Sequence, residues 1–202
     1  MEEIKDKVWE WVLAEQGAQF EPDAEYYCPT RDIFQARLDR MTRVMLQDGG
    51  TGESHVYLLS SIAGEIGNNS FDHNIGIWPD IAGIFFSYDI LGKTKQIVLA
   101  DRGVGVLATL RKVKNELQNH EQALRTAFTE RLSGRLPERR GNGLKFVRES
   151  VAMDHFHLSF YSGDAVAELN EQILIIKNDR SISGCLANLM YTTELELDTK
   201  KK

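Results

Sequence analysis

Cysteine is scarce in this chain: Cys28 and Cys185 are the two it has, 157 positions apart. That excludes a disulfide framework and a cysteine-based metal site. The five histidines include no His-x-x-x-His pair and no Cys-His spacing, which argues against structural zinc. Long hydrophobic runs are missing as well. The longest, around Ile81 to Phe86, is far too short to span a bilayer, and Met1 to Lys7 is charged with no apolar signal core, so the expected location is the cytoplasm, with no membrane partner. Basic charge is not in excess. A net charge of -6 and a pI near 5.4 argue against nonspecific binding to nucleic acid or to anionic lipid. No internal repeat or low-complexity segment interrupts the chain.

What is present fits one compact domain with an N-terminal extension: 202 residues, 42% of them hydrophobic, can bury a real core. Ile4, Val8, Trp11 and Val12 predict a first helix, and Gly17 to Pro29 reads as a connector. Thr30 can cap a second helix with the stripe Phe34, Leu38, Met41 and Met45, stopped at Asp48-Gly49-Gly50. These make residues 1–50 a helical extension, residues 51–197 the main domain and residues 198–202 a frayed tail. Strands are expected over 81–88, 95–101, 155–161, 172–176 and 186–193, with Ser162-Gly163-Asp164 and Asn178-Asp179-Arg180 as turns. Helical segments over 106–117 and 121–131 lie between them. That order predicts an α+β fold, a two-layer sandwich with a mixed, mostly antiparallel sheet and helices packed on one face.

Three groups of residues carry chemistry. In the first, Val56, Leu59, Ala63 and Ile66 give an apolar helical stripe, while Glu65, Asn69 and Asp72 at i, i+4 and i+7 share another face. An amide oxygen and a carboxylate one turn apart suit Mg²⁺, which takes oxygen ligands and keeps several waters. Asn69 is the candidate ligand and Glu65 the candidate general base. A solvated polar stripe is the plain alternative.

The second group, Asp101-Arg102-Gly103-Val104-Gly105, follows the short β-branched run Gln96 to Ala100. A carboxylate fixed at a strand end can accept a hydrogen bond from an exocyclic amine, and Gly103 and Gly105 let backbone approach a flat ring. The third, Arg139-Arg140-Gly141-Asn142-Gly143-Leu144, opens a helix marked by Leu144, Val147 and Val151. Glycines there leave backbone N–H groups facing outward, and Arg131, Arg135, Arg139 and Arg140 make the most basic stretch of an acidic chain. Phosphate is the natural guest.

In order and grouping these residues resemble the GHKL superfamily, whose ATP-binding domain is shared by DNA gyrase, heat-shock chaperones, mismatch-repair ATPases and histidine kinases. The likeness spans roughly residues 55 to 195. It implies a Bergerat-type fold with ATP and Mg²⁺ as cofactors. Asn69 would ligate Mg²⁺, Asp101 would accept the adenine amine, and Gly103 and Gly105 would line the base. Gly141, Gly143 and Leu144 would cradle the phosphates with Asn142 and Arg140 beside them, and Glu65 matches the general base of hydrolysing members. Asp72 matches a carboxylate of the gyrase branch. Two features depart from the family. The lid, about residues 106–140, is more helical than in histidine kinases, and Gly184-Cys185 stands where many members carry Gly-Thr.

Residues 1–50 contain no histidine, so a self-phosphorylating sensor kinase is not expected. The resemblance implies a regulator that hydrolyses ATP or transfers its γ-phosphate to a protein partner as an ATPase or Ser/Thr kinase, with pairing of two copies left open. A non-catalytic nucleotide-binding module that binds and releases a protein partner is the alternative.

Overall fold

The computed structural model describes residues 2–18, 20–90, 92–130, 143–154 and 156–192, with side chains from Ile4 onward. Arg140, Gly141 and Asn142, and the tail at 198–202, lie outside the described residues.

Among the described residues, eleven elements run in the order α1 (Glu2–Leu13), β1 (Tyr27–Cys28), α2 (Arg31–Asp48), α3 (Glu53–Asn74), β2 (Ile84–Asp89), β3 (Thr94–Asp101), α4 (Gly105–Arg111), α5 (His120–Thr129), α6 (Gly143–Met153), β4 (His157–Leu169) and β5 (Ile173–Thr192). The strands form one antiparallel sheet in the order β1-β2-β3-β5-β4, which makes the fold α+β with helices layered on the sheet, as expected. The local signals for α2 hold. Thr30 Oγ1 accepts from the Ile33 N–H at 3.4 Å, and Gly49 ends the helix in the left-handed region at φ 66°.

Alternation along the strands divides the sheet into two faces. Ile84, Phe86, Ile97, Leu99, Ala187 and Leu189 face the main core, where α2, α3, α5 and α6 supply Phe34, Leu59, Phe128 and Val151. Phe85, Val98, Ala100, Ile182 and Leu186 point the other way, and Val8, Trp11 and Val12 of α1 cover them. Of the two N-terminal helices, then, α2 belongs to the main helical layer and α1 lies across the back of the sheet.

The C-terminal strands differ from the sequence expectation. Three short strands become two long ones, β4 and β5, turned at Asn170 to Gln172. The presumed turns lie within them: Gly163 pairs with Ile182 but Ala165 pairs with Lys177, so Asn178 to Ser181 bulge out of the ladder opposite Asp164. Turn-forming residues mark that irregularity, and renewed pairing beyond it keeps both strands running.

Phe34 is fully buried, edge-on to Phe86 with ring centroids 5.2 Å apart. Truncating it in a shared core empties space that neighbours only partly refill. Phe34→Ala is therefore expected to cost about 3–5 kcal/mol. Urea unfolding followed by tryptophan fluorescence and by far-UV circular dichroism should give coincident transitions; two separated transitions would mean that α2 is an independent unit.

Candidate functional site

Asp101 ends β3 with its side chain toward α3, and it is 2% exposed. Ser70 Oγ of α3 donates to its Oδ2 at 2.7 Å, the Gly103 N–H donates to Oδ1 at 2.8 Å, and the Cys185 N–H donates as well. Burial pushes the carboxyl up to about 6, opposed by these three hydrogen bonds, which favour the ionised form. Burial of the neighbouring Cys185, with the Asp101 charge adding to it, pushes that thiol well above its ordinary value, so the sulfur stays protonated.

The glycine loop after Asp101 is held from three elements. The Gly103 N–H is bound by Asp101, the Val104 N–H donates to Asn74 Oδ1 of α3 at 2.9 Å, and the Val106 N–H donates to Ser162 Oγ of β4 at 3.0 Å. These three donors are engaged inside the protein and are not offered to an anion. The loop offers shape and carbonyl groups instead. A Cβ on Gly103 would come within 2.2 Å of the Asn74 amide, so that approach requires glycine. Gly184 stands at φ 71° with its Cα against the Asp101 backbone, where a Cβ would lie 2.1 Å from the carbonyl oxygen. Glycine at the departure Gly184-Cys185 thus serves backbone contact with β3.

The first and third groups also meet. Glu65 lies in α3 and its carboxylate packs against Gly143, the first residue of α6; a Cβ there would fall 1.7 Å from Oε1. Leu144 packs at the edge of the main core, and Asn69 is half-buried one turn along α3 from Glu65. So α3 carries Glu65 to the start of α6 and Ser70 to Asp101, and one helix links all three groups. Asp72 is directed elsewhere: it pairs with Arg31 of α2, whose guanidinium lies 5.9 Å from the Phe71 ring centre.

Beside the loop opens a cleft of about 320 Å³, lined by Gly103, Val104, Gly105, His120, Ser162 and Gly184 among others. Glu65, Asn69 and Asp101 are not in its described lining. His120, the first residue of α5, is fastened to β4 by a 2.6 Å contact between Nδ1 and Asp164 Oδ1, and that hydrogen bond holds the Asp164 carboxyl below its usual range. The start of α5 is therefore a fixed point beside the cleft.

Sequence reading missed Ser70, Asn74, Arg102 and Ser162. Ser70 follows Asn69 directly and Asn74 comes one helical turn later, a signal that α3 carries a second polar row beside that of Glu65 and Asn69. Ser162 carried no signal, since its partners at 106 and 184 are remote in sequence.

Among the described residues no cluster of three or more His, Cys, Asp or Glu side chains could hold a metal by itself, and no helix is long and apolar enough to cross a membrane. No protein-family model matches the chain, and no curated protein sequence matches it.

Asp101 gives a pH signature. Its folded value near 6 exceeds the ordinary 3.8, so between those values the folded protein keeps a proton that the unfolded chain releases. Stability falls as pH rises through that window, by roughly 3 kcal/mol in total, and levels off above it. Asp101→Asn should remove this component of the slope, read as the difference between wild-type and variant urea midpoints at pH 4 and pH 7. Equal slopes in both proteins would contradict the burial argument.

Proposed function

We propose that this protein is a magnesium-ATP-binding regulator of the GHKL type that acts in the cytoplasm. It hydrolyses ATP or transfers the γ-phosphate to a protein partner, under a lid formed by residues 106–140. The supporting observation is the convergence on α3: Ser70 bonds Asp101 at the strand end, while Glu65 lies against Gly143 at the start of α6.

In this reading Asp101 accepts a hydrogen bond from the exocyclic amine of the base, and the loop at Gly103 and Gly105, with the Gly103 and Val104 N–H groups engaged by the protein, faces the ring. The amide of Asn69 and the carboxylate of Glu65 fit a cation that fills most of its shell with water and phosphate oxygens, so Asn69 would hold Mg²⁺. Bound magnesium-ATP supplies the phosphoryl group and offsets its charge. Glu65 takes the proton from the attacking water or hydroxyl, and Gly143 and Leu144, with Gly141, Asn142 and Arg140, contribute backbone N–H groups and a guanidinium at the phosphates.

Calorimetric titration with a nonhydrolysable ATP analogue and Mg²⁺ tests the reading directly. Binding is expected in the wild type and should weaken roughly tenfold or more in Asp101→Asn, the scale of a hydrogen bond to a charged group. No heat of binding, or equal affinity in the variant, overturns it. Glu65→Gln should lower turnover by about 10²–10⁴-fold with binding retained. If cellular activity is intact in Glu65→Gln, the protein works as a nucleotide-binding module without turnover.

A further inference from the structure

Arg102 sits between Asp101 and Gly103, but its side chain serves another part of the molecule. It is 1% exposed, and each of the five N–H donors of its planar guanidinium has a partner. Nη1 donates to the carbonyls of Trp11 and Ala14, Nη2 to the Glu15 carbonyl at 2.9 Å and to Asp80 Oδ2, and Nε to Asp80 Oδ2 at 3.1 Å. The three carbonyls lie in the last turn of α1 and just beyond it, where a helix leaves acceptors unsatisfied. Asp80, 2% exposed, also accepts from the Ile81 N–H at 2.6 Å and the Gly17 N–H at 3.3 Å. Burial pushes the Asp80 carboxyl up, and the bonds from Arg102, Ile81 and Gly17 outweigh it and hold the group below its usual value.

A charged group buried this completely has no halfway state. If α1 lifts, three of the five hydrogen bonds are lost, and a guanidinium stripped of partners inside the protein is strongly unfavourable. Arg102 then has to follow α1 or turn to water, and either movement pulls on Gly103 and Val104, whose N–H groups are bound to Asp101 and Asn74.

We propose that Arg102 is a positioning residue that joins the docking of α1 on the sheet and the geometry of the Asp101–Gly105 loop into one two-state element. Undocking α1 loosens the loop, and a ligand held by the loop tightens α1, because coupling between two sites acts equally in both directions. A partner that competes for the Val8–Trp11–Val12 face of α1 would thereby regulate the loop. The link between helix and loop stands without any nucleotide; its effect on ATP affinity rests on the function proposed above.

Hydrogen exchange read by mass spectrometry on the full chain decides it. Trp11→Ala removes a buried side chain that anchors α1 through the sheet and through its 2.8 Å bond to the Phe20 carbonyl, without altering the loop itself. Amides of residues 103–111 should exchange about tenfold faster in this variant, in step with those of α1. Arg102→Lys should do the same, since an ammonium keeps the charge but not the planar fork. Fast exchange in α1 with residues 103–111 at the wild-type rate overturns the proposal; if Trp11→Ala does not fold, Val8→Ala gives the same comparison. Addition of magnesium-ATP should slow exchange in wild-type α1 about tenfold but leave α1 of Arg102→Lys unaffected, a response that a merely structural arginine would not produce. Protection of the loop with none in α1 also overturns it. If the nucleotide fails to bind, the function proposed above fails, and the comparison between variants still decides the coupling.

Discussion

Burial of the Arg102–Asp80 pair is the constraint around which this end of the molecule is arranged. Both side chains are removed from water, so each lone pair and each N–H has to find a partner within the protein. That requirement brings together the end of α1, the residues before β2 and the residue after β3, which are otherwise separated in the chain. Packing alone would allow α1 to slide over the apolar back of the sheet. The fixed fork of the guanidinium sets where the helix stops.

The neighbouring residue does the opposite job on the opposite face. Successive strand residues point to opposite sides of a sheet, so Asp101 turns toward α3 while Arg102 turns toward α1. Asp101 has no cation among its hydrogen-bond partners; a hydroxyl and two backbone N–H groups surround it, which is why burial dominates and pushes its carboxyl up to about 6, whereas Asp80 is held below its usual value beside its arginine. Two acids within one site region thus have displaced affinities for a proton, one upward and one downward, and the difference comes from their partners. Asp101 and Arg102 are consecutive, so the two faces meet at a single peptide link.

Much of this was legible from residue spacing. The cap at Thr30, the stop at Gly49, the strand ending at Asp101 and the long polar face of α3 all depend on interactions within a few residues, and each is found where the sequence puts it. The convergence of Glu65 with Gly143 was legible only as a grouping, and that of Ser70 with Asp101 was not legible, because spacing says nothing about distances across 78 or 31 positions. Long-range pairing defeated the local signals of β4 and β5: Gly163 and Asn178 are turn formers, yet the pairing of 165–169 with 173–177 keeps the strands extended past them. The position of α1 was hidden for a similar reason. Its apolar stripe predicts burial, but which face of the sheet it covers is decided by carbonyl contacts to a side chain some 90 residues away.

The central strand also sets a schedule for biosynthesis. β3 lies between β2, made shortly before it, and β5, whose Thr192 meets Thr94 across 98 residues of chain. At ribosomal rates of about 5–20 residues per second, β3 waits roughly 5–20 s with one edge unpaired before its second neighbour emerges. The Asp101 carboxylate waits with it, since the Cys185 N–H is part of its surroundings and Gly184 closes over its backbone. On the ribosome the half-made protein therefore presents an unfinished β-edge, with the loop after Asp101 unformed, until the last strand of the sheet closes against it.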